Sequence, residues 1–84
     1  MNKETILVVT GSLSEFKYFL DKIAIKADNV DYRYIPNGCT HYMKGCIQGT
    51  KIIFFGNWYN RKDVVDIANE SEVQSFKPIY ISER

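Results

Sequence analysis

Two short apolar runs, each followed by a glycine, place the strongest constraint on the fold of this 84-residue chain. The first run spans residues 6–9 and leads into Gly11, and the second spans residues 52–55 and leads into Gly56. Continuous apolar runs of this kind are typical of parallel strands that are covered on both faces. After each glycine, polar residues precede a segment with helical spacing of apolar side chains. The two segments therefore predict an α/β fold.

The rest of the chain supplies two further strands. The predicted elements are strands at residues 5–10, 30–35, 51–55 and 78–82, and helices at residues 13–26 and from residue 61 onwards. We expect Ser12 to be the N-cap of the first helix and Asn60 that of the second. Pro78 at the start of the last strand favours an edge position, because proline cannot donate a hydrogen bond within a sheet.

The segment between the second and third strands is open to two interpretations. Asn37 and Gly38 are typical of a hairpin turn, with residues 39–43 as the return strand. Residues 41–47 can instead form a short helical crossover between parallel strands. The buried character of the strand at 51–55 favours the crossover.

This order of elements restricts the topology of the sheet. Right-handed crossovers give a parallel four-stranded sheet in the order 2-1-3-4, with two main helices on opposite faces. We therefore expect a small three-layer, Rossmann-like or flavodoxin-like fold, and residues 1–84 form a single domain. The connections of neighbouring strands 1 and 3 diverge at Gly11 and Gly56, which is where open α/β sheets bind ligands.

Composition and charge argue against several classes of function. The net charge of +1 gives no general attraction for nucleic acid or for an anionic membrane. No segment has the roughly 18 apolar residues that a membrane span needs, and the N-terminal run lacks the features of a signal peptide. We therefore expect a cytoplasmic protein in which Cys39 and Cys46 are free thiols.

The first candidate binding site consists of Gly11, Ser12 and Ser14. Free N–H groups at the start of a helix favour an anion such as phosphate, and the serine hydroxyls add hydrogen-bond partners. The spacing of Ser12 and Glu15 also fits a capping box, in which each residue satisfies a backbone N–H group of the other. Capping explains this turn adequately, since it matches no phosphate-loop motif.

The second turn carries aromatic and cationic groups that capping does not require, and we expect them to be exposed. The candidate ligand- or partner-binding residues here are Gly56, Asn57, Trp58, Tyr59, Arg61 and Lys62. Trp58 and Tyr59 offer stacking surface, and Arg61 can pair with a phosphate or a carboxylate. The same residue types dominate protein–protein hot spots. The structural alternative is that Trp58 folds back over the end of the sheet and seals the core.

Candidate catalytic and metal-binding groups are sparse. Cys39, His41 and Cys46 lack a fourth ligand and the paired spacing of a zinc site. Cys39 with His41 as its base would have no third group to orient the pair. Asp63 and Asp66 could hold Mg²⁺ with a phosphate, but a solvated helix face explains them equally well. We therefore expect no metal, no cofactor and no catalytic residue.

Aromatic residues and sheet edges suggest two further kinds of partner. Tyr32, Tyr34, Tyr42 and Tyr80 could form an aromatic strip that stacks on single-stranded nucleic acid, but the low net charge disfavours nucleic acid as a partner. The strand at residues 30–35 is an edge of the expected sheet. An uncovered edge can pair with a second copy, so the sequence is compatible with a homodimer.

Several short motifs resemble those of small α/β accessory proteins of bacteriophages and mobile elements. They are the aromatic residues of the first helix (Phe16, Tyr18, Phe19), the Tyr-x-Tyr strand (Tyr32, Tyr34), the Met43-Lys44-Gly45 step and the Gly56-Asn57-Trp58-Tyr59 turn. The resemblance implies an accessory protein that acts in a host cytoplasm and blunts a host defence or another host system. It implies no catalytic residues.

The sequence therefore favours a non-catalytic binding module. Its partner would be a host protein or a small anionic ligand such as a nucleotide, held by Trp58, Tyr59 and Arg61 where the two turns meet. Two alternatives stay open at this point: a small enzyme that acts on a phosphorylated substrate, and a nucleic-acid-binding protein.

Overall fold

The computed structural model describes residues 4–24, 29–44 and 49–81, which form a four-stranded sheet between two helical layers. The strands are β1 (Glu4–Val9), β2 (Val30–Tyr34), β3 (Lys51–Phe55) and β4 (Lys77–Ile81), and the α-helices are α1 (Leu13–Tyr18) and α2 (Val64–Val73). All strand pairs are parallel, and the order in the sheet is β2-β1-β3-β4. The predicted α/β class and the predicted strand order are confirmed.

One face of the sheet is covered by the helical segment after β1. Here α1 continues into a π-helical turn, Phe19–Ile23, which buries Phe19 against the side chains of Ile6 and Val8. We expected a helix over residues 13–26. Helical backbone ends at Ile23, and residues 25–28 lie outside the described part of the chain. Burying a phenylalanine of this kind stabilises the fold by about 1.5–3 kcal/mol.

The opposite face is covered by α2 and by a 3₁₀ helix at Thr40–Met43. Ile67 of α2 and Met43 of the 3₁₀ helix are buried with the second set of sheet residues, which includes Leu7 and Val9. Because the side chains of β1 and β3 alternate between the two faces of the sheet, each continuous apolar run contributes residues to the hydrophobic cluster on each face. This explains why residues 6–9 and 52–55 show no polar alternation.

The connection between β2 and β3 is a crossover, because the two strands belong to one parallel sheet. The alternative hairpin with a return strand at residues 39–43 is wrong, since Thr40–Met43 is a 3₁₀ helix. Gly38 lies in the turn before this 3₁₀ helix and has φ +82, a left-handed conformation that favours glycine. Residues 45–48, which include Cys46, lie outside the described residues.

The sheet has two edges of different character. Tyr34 and Tyr32 of β2 lie under the first helical segment, with ring centroids 5.2 Å from Phe16 and 5.5 Å from Phe19, respectively. In β4, all residues of Lys77–Tyr80 are exposed. The predicted edge position of Pro78 is confirmed. Within the described residues, none of the helices is long and apolar enough to cross a membrane.

Candidate functional site

The first turn is built as an N-cap. Ser12 has extended backbone angles, and its hydroxyl accepts a hydrogen bond from the N–H of Glu15 at 3.3 Å. The buried Thr10 hydroxyl donates to the Ser12 carbonyl at 2.6 Å and so fixes the turn before the helix. Ser12 and Ser14 are exposed. The predicted N-cap is therefore correct, and capping already uses the Ser12 hydroxyl as an acceptor.

The carboxylate of Glu15 lies between the two turns. It accepts hydrogen bonds from the backbone N–H of Gly11 at 2.7 Å and from that of Asn57 at 3.1 and 3.2 Å. The Asn57 side-chain amide donates to it as well, at 3.1 Å. A capping box would have sent this carboxylate to the N–H of Ser12. Glu15 instead joins the turn after β1 to the turn after β3.

Gly11 and Gly56 allow this carboxylate to approach the backbone. A Cβ atom at residue 56 would lie 2.6 Å from Glu15 Oε2, and one at residue 11 would lie 2.9 Å from Glu15 Oε1 and from the Asn57 carbonyl. Gly56 also has φ +68. The two glycines therefore leave room for the Glu15 carboxylate at the position where open α/β folds bind a ligand.

Arg61 does not lie on the surface. Its side chain is 0 % exposed, and its Nε donates to Asp63 Oδ1 at 2.8 Å. Its two terminal nitrogens donate to the Thr10 carbonyl at 3.2 Å and to the Pro36 carbonyl at 2.9 Å. The expectation that Arg61 is an exposed cation is wrong, because its donors join the loops that follow β1 and β2.

Asp63 is the buried partner of Arg61. Its Oδ2 accepts from Arg61 at 2.9 Å and from the backbone N–H of Gly38 at 2.8 Å. Burial acts to raise the pKa of this carboxyl, but the hydrogen bonds from Arg61 and Gly38 outweigh it and lower the pKa below its ordinary value. We name Glu15, Arg61 and Asp63, with the backbone groups that they bind, the loop network.

The structure also corrects the start of the second helix. We expected Asn60 as the N-cap of a helix that begins at residue 61. Instead, Trp58–Asn60 is a 3₁₀ helix, Asp63 is the N-cap, and α2 begins at Val64. The suggested Mg²⁺ pair is not assembled, since the Asp63 carboxylate is buried against Arg61 while Asp66 is exposed.

Trp58 and its neighbours form a second feature at this end of the sheet. The Trp58 ring packs on Phe54 at 4.9 Å between centroids, on Tyr80 at 5.7 Å and on Tyr59 at 5.8 Å. Trp58 is half-buried against the core, as the structural alternative proposed. Tyr59 and Tyr80 are 59 % and 65 % exposed, respectively. We name Trp58, Tyr59 and Tyr80 the aromatic surface.

The other candidate residues are not brought together. Cys39 is half-buried before the 3₁₀ helix, and His41 is exposed with its ring 4.8 Å from that of Tyr42. Across residues 4–24, 29–44 and 49–81, no three His, Cys, Asp or Glu side chains are placed to hold a metal ion. The tyrosines do not form one strip either, since Tyr32 and Tyr80 belong to opposite faces of the sheet.

Of the predicted binding residues, the structure gathers Gly11, Gly56 and Asn57 around Glu15, and it leaves Tyr59 and Lys62 exposed. The sequence interpretation missed Asp63 as an ion-pair partner and Tyr80 as a neighbour of Trp58. The Arg-x-Asp spacing signals the ion pair only weakly. Tyr80 becomes visible once the register pairs it with Phe54.

Comparisons with protein-family models, with curated proteins and with solved structures find no match to this chain.

Proposed function

We propose that this protein is a non-catalytic binding module and that it contacts a partner protein through the aromatic surface. The observation that carries the proposal is the exposure of Tyr59 and Tyr80 on a packed Trp58. Tryptophan and tyrosine are enriched in interface hot spots because they present a large, rigid contact area at low cost in side-chain entropy. The resemblance to phage accessory proteins implies a host protein as the partner, which stays a prediction.

The packing of Trp58 supports a preformed surface. Its ring rests on the buried Phe54, so binding would not have to order this side chain from solution. The hydroxyl of Tyr59 donates to the side-chain oxygen of Asn57 at 3.3 Å, which orients that ring beside Trp58. Lys62, which follows Tyr59 by three residues, is exposed and offers a polar group of the kind found at the rim of an interface.

The loop network argues against a small anionic ligand between the turns. The N–H groups of Gly11 and Asn57 already donate to Glu15, so a phosphate would have to displace a carboxylate of the same sign. The enzyme alternative loses support for a similar reason. Asp63 is buried and held by Arg61, so its carboxylate is not free to act on a substrate, and the Ser12 hydroxyl already accepts the capping N–H of Glu15.

A comparison of two tyrosines tests the proposal. Tyr59→Ala removes an exposed ring from the aromatic surface, and Tyr42→Ala removes one that is 51 % exposed on the 3₁₀ helix. In pull-downs from bacterial lysate, we expect the wild type and Tyr42→Ala to retain the same protein. Tyr59→Ala should lose it, with at least a tenfold weaker affinity in titrations of the purified partner.

Two results would overturn the proposal. One is a partner that binds Tyr59→Ala as tightly as the wild type. The other is a nucleotide or inorganic phosphate that raises the melting temperature of the wild type but not of Ser12→Ala. The second result would favour a phosphate site between the turns.

A further inference from the structure

β4 is an edge strand whose exposed residues are nearly all apolar. It comprises Lys77, Pro78, Ile79, Tyr80 and Ile81, and its neighbour on one side is β3. Ile79 is exposed on one face and Tyr80 on the other. No strand among the described residues pairs with its outer side. An edge of this kind can template pairing with another chain.

The register shows which backbone groups point outward. The N–H of Lys77 donates to the carbonyl of Thr50 at 2.9 Å, and Lys77 pairs with Lys51. The backbone groups of a parallel strand point alternately to its two neighbours. Those of Ile79 and Ile81 therefore also bond to β3, and those of Pro78 and Tyr80 point away from β3. Proline has no N–H group. The outer edge therefore offers the N–H and the carbonyl of Tyr80 and the carbonyl of Pro78.

We propose that β4 pairs in antiparallel fashion with β4 of a second copy, about a two-fold axis at Tyr80. In this register the N–H of each Tyr80 donates to the carbonyl of Tyr80 in the other copy, so both outward groups of Tyr80 are satisfied. Shifting the register to pair Tyr80 with Pro78 would leave the Tyr80 carbonyl opposite a residue without a donor. The result is a continuous eight-stranded sheet with closed two-fold symmetry.

Apolar side chains meet on both faces of this pairing. A two-fold axis perpendicular to the sheet keeps equivalent faces on the same side. Tyr80 and Trp58 would therefore lie on the same face as Tyr80 and Trp58 of the second copy, and the aromatic surfaces of the two copies would be adjacent. On the other face, Ile79 would lie opposite Ile81 of the second copy, and such β-branched cross-strand pairs stabilise sheets.

Charge is compatible with a second copy as the occupant. Lys77 is the one charged residue within β4. Antiparallel pairing about Tyr80 offsets the two lysines by six positions, or about 20 Å, so they do not repel each other at short range. The net charge of each chain is +1, which opposes association weakly.

The available area sets the expected strength. A stable interface takes about 800 Å² from each partner, and a single five-residue edge strand, about 17 Å long, is a small contact by that standard. We therefore expect a dimer that dissociates on dilution. The opposite edge is less suited to this pairing, because its rings are packed under helix side chains and its other face carries the exposed Asp31–Arg33 ion pair at 3.0 Å.

Two lysine substitutions test the dimer by analytical ultracentrifugation across a concentration series. Tyr80→Lys places two cations at the two-fold axis, and Val73→Lys makes the same kind of change at a residue that is 77 % exposed on α2. We expect the wild type and Val73→Lys to dimerise with concentration and Tyr80→Lys to stay monomeric. A wild type that is monomeric at every concentration, or a dimeric Tyr80→Lys, would overturn the proposal.

Cross-linking gives a second test that does not depend on a disruptive substitution. In a background with Cys39→Ser and Cys46→Ser, Tyr80→Cys should form a disulfide-linked dimer under mild oxidation. The paired Cα atoms would be about 5.5 Å apart, within the usual range for a disulfide. Lys77→Cys, with its pair about 20 Å apart, should not cross-link. Equal cross-linking at both positions would contradict the register.

The dimer and the proposed function can fail separately. Tyr59→Ala should still dimerise while it loses the partner protein, because Tyr59 lies outside β4. If the protein dimerises but binds no partner protein, the β4 dimer therefore stands and only the proposed function fails. If a strictly monomeric protein binds the partner, only the β4 dimer is overturned.

Discussion

The loop network and the aromatic surface lie at the same end of the sheet, but they use their side chains in opposite ways. In the loop network, Glu15, Arg61 and Asp63 direct their charges at backbone groups and at each other. In the aromatic surface, Trp58 contacts the core while Tyr59 and Tyr80 remain exposed. The groups with the chemistry of an anion site are used internally, and the apolar groups face outward.

This difference follows from the cost of burial. Three loops converge above the sheet, and their buried carbonyl and N–H groups need partners, since an unsatisfied buried polar group costs about 1–3 kcal/mol. A planar guanidinium with five donors can serve two carbonyls and a carboxylate at once, as Arg61 does here. A cation that satisfies buried loops is not free to bind a ligand.

The largest effect should come from Arg61→Ala. It would leave the Asp63 carboxylate buried without its charged partner and would remove donors from two carbonyls. We expect the free energy of unfolding in urea to fall by about 3–5 kcal/mol. Lys62→Ala, at the exposed neighbouring cation, should change it by less than about 0.5 kcal/mol. Similar values for the two variants would show that Arg61 is not a structural residue.

The second prediction uses pH to isolate Asp63. Its pKa is lowered in the folded protein, so its contribution is complete above the unfolded pKa and is lost as the pH falls through the lower folded value. Asp63→Asn should therefore melt well below the wild type near neutral pH, and the gap should narrow between about pH 5 and about pH 2. A gap that is constant across this range would contradict a charged Asp63 in the fold.

Glu15→Gln should have an intermediate effect. The amide oxygen of glutamine can still accept from Gly11 and Asn57, but its amide nitrogen would face the backbone and side-chain donors of Asn57. We expect a loss of about 1–2 kcal/mol in the free energy of unfolding. Glu72→Gln changes an exposed carboxylate of α2 and serves as the control, with an expected change under about 0.5 kcal/mol. Equal effects would place Glu15 among ordinary surface residues.

The two glycines sharpen this test through double-mutant cycles. Gly56→Ala would meet three atoms of the Glu15 side chain, so part of its cost should disappear in a Glu15→Ala background. Gly11→Ala would also meet the Asn57 carbonyl at 2.9 Å, and that clash should persist in the same background. Urea unfolding of the six proteins measures both couplings. Strictly additive effects at residue 56 would exclude a carboxylate beside it.

The smallest effect on stability should come from Tyr59→Ala, because this ring is largely exposed. We expect a change within about 0.5 kcal/mol, measured by the same urea titration. A loss of more than about 2 kcal/mol would show that Tyr59 is a core residue and that the aromatic surface is part of the fold rather than a free surface.

The sequence predicts the fold well because its signals are local. Continuous apolar runs indicate buried parallel strands, Ser12 marks a helix start, and Pro78 marks an edge. Together with the handedness of crossovers, these features are sufficient for the strand order. The start of α2 is less predictable, since Asn60 has a favourable capping side chain but does not cap the helix. Asp63 holds the N-cap position instead, with its carboxylate bound to Arg61 and Gly38 and not to the helix.

The candidate site is harder to predict because its contacts span the chain. The carboxylate of Glu15 binds Asn57, and Arg61 reaches the Thr10 carbonyl. The local sequence predicts neither contact. In it, Glu15 fits the second position of a capping box, and Arg61 resembles an exposed cation. Residue types alone indicate the chemistry of a group but not whether the protein itself uses it.

Amide hydrogen exchange tests most directly whether the loop donors are bound by the protein's own carboxylates. The N–H groups of Gly11, Gly38 and Asn57 lie in turns, yet each donates to Glu15 or Asp63. We predict that all three amides exchange much more slowly than unprotected amides and that Glu15→Ala releases Gly11 and Asn57 while Gly38 stays protected. Exchange of these amides at the unprotected rate in the wild type would contradict the account.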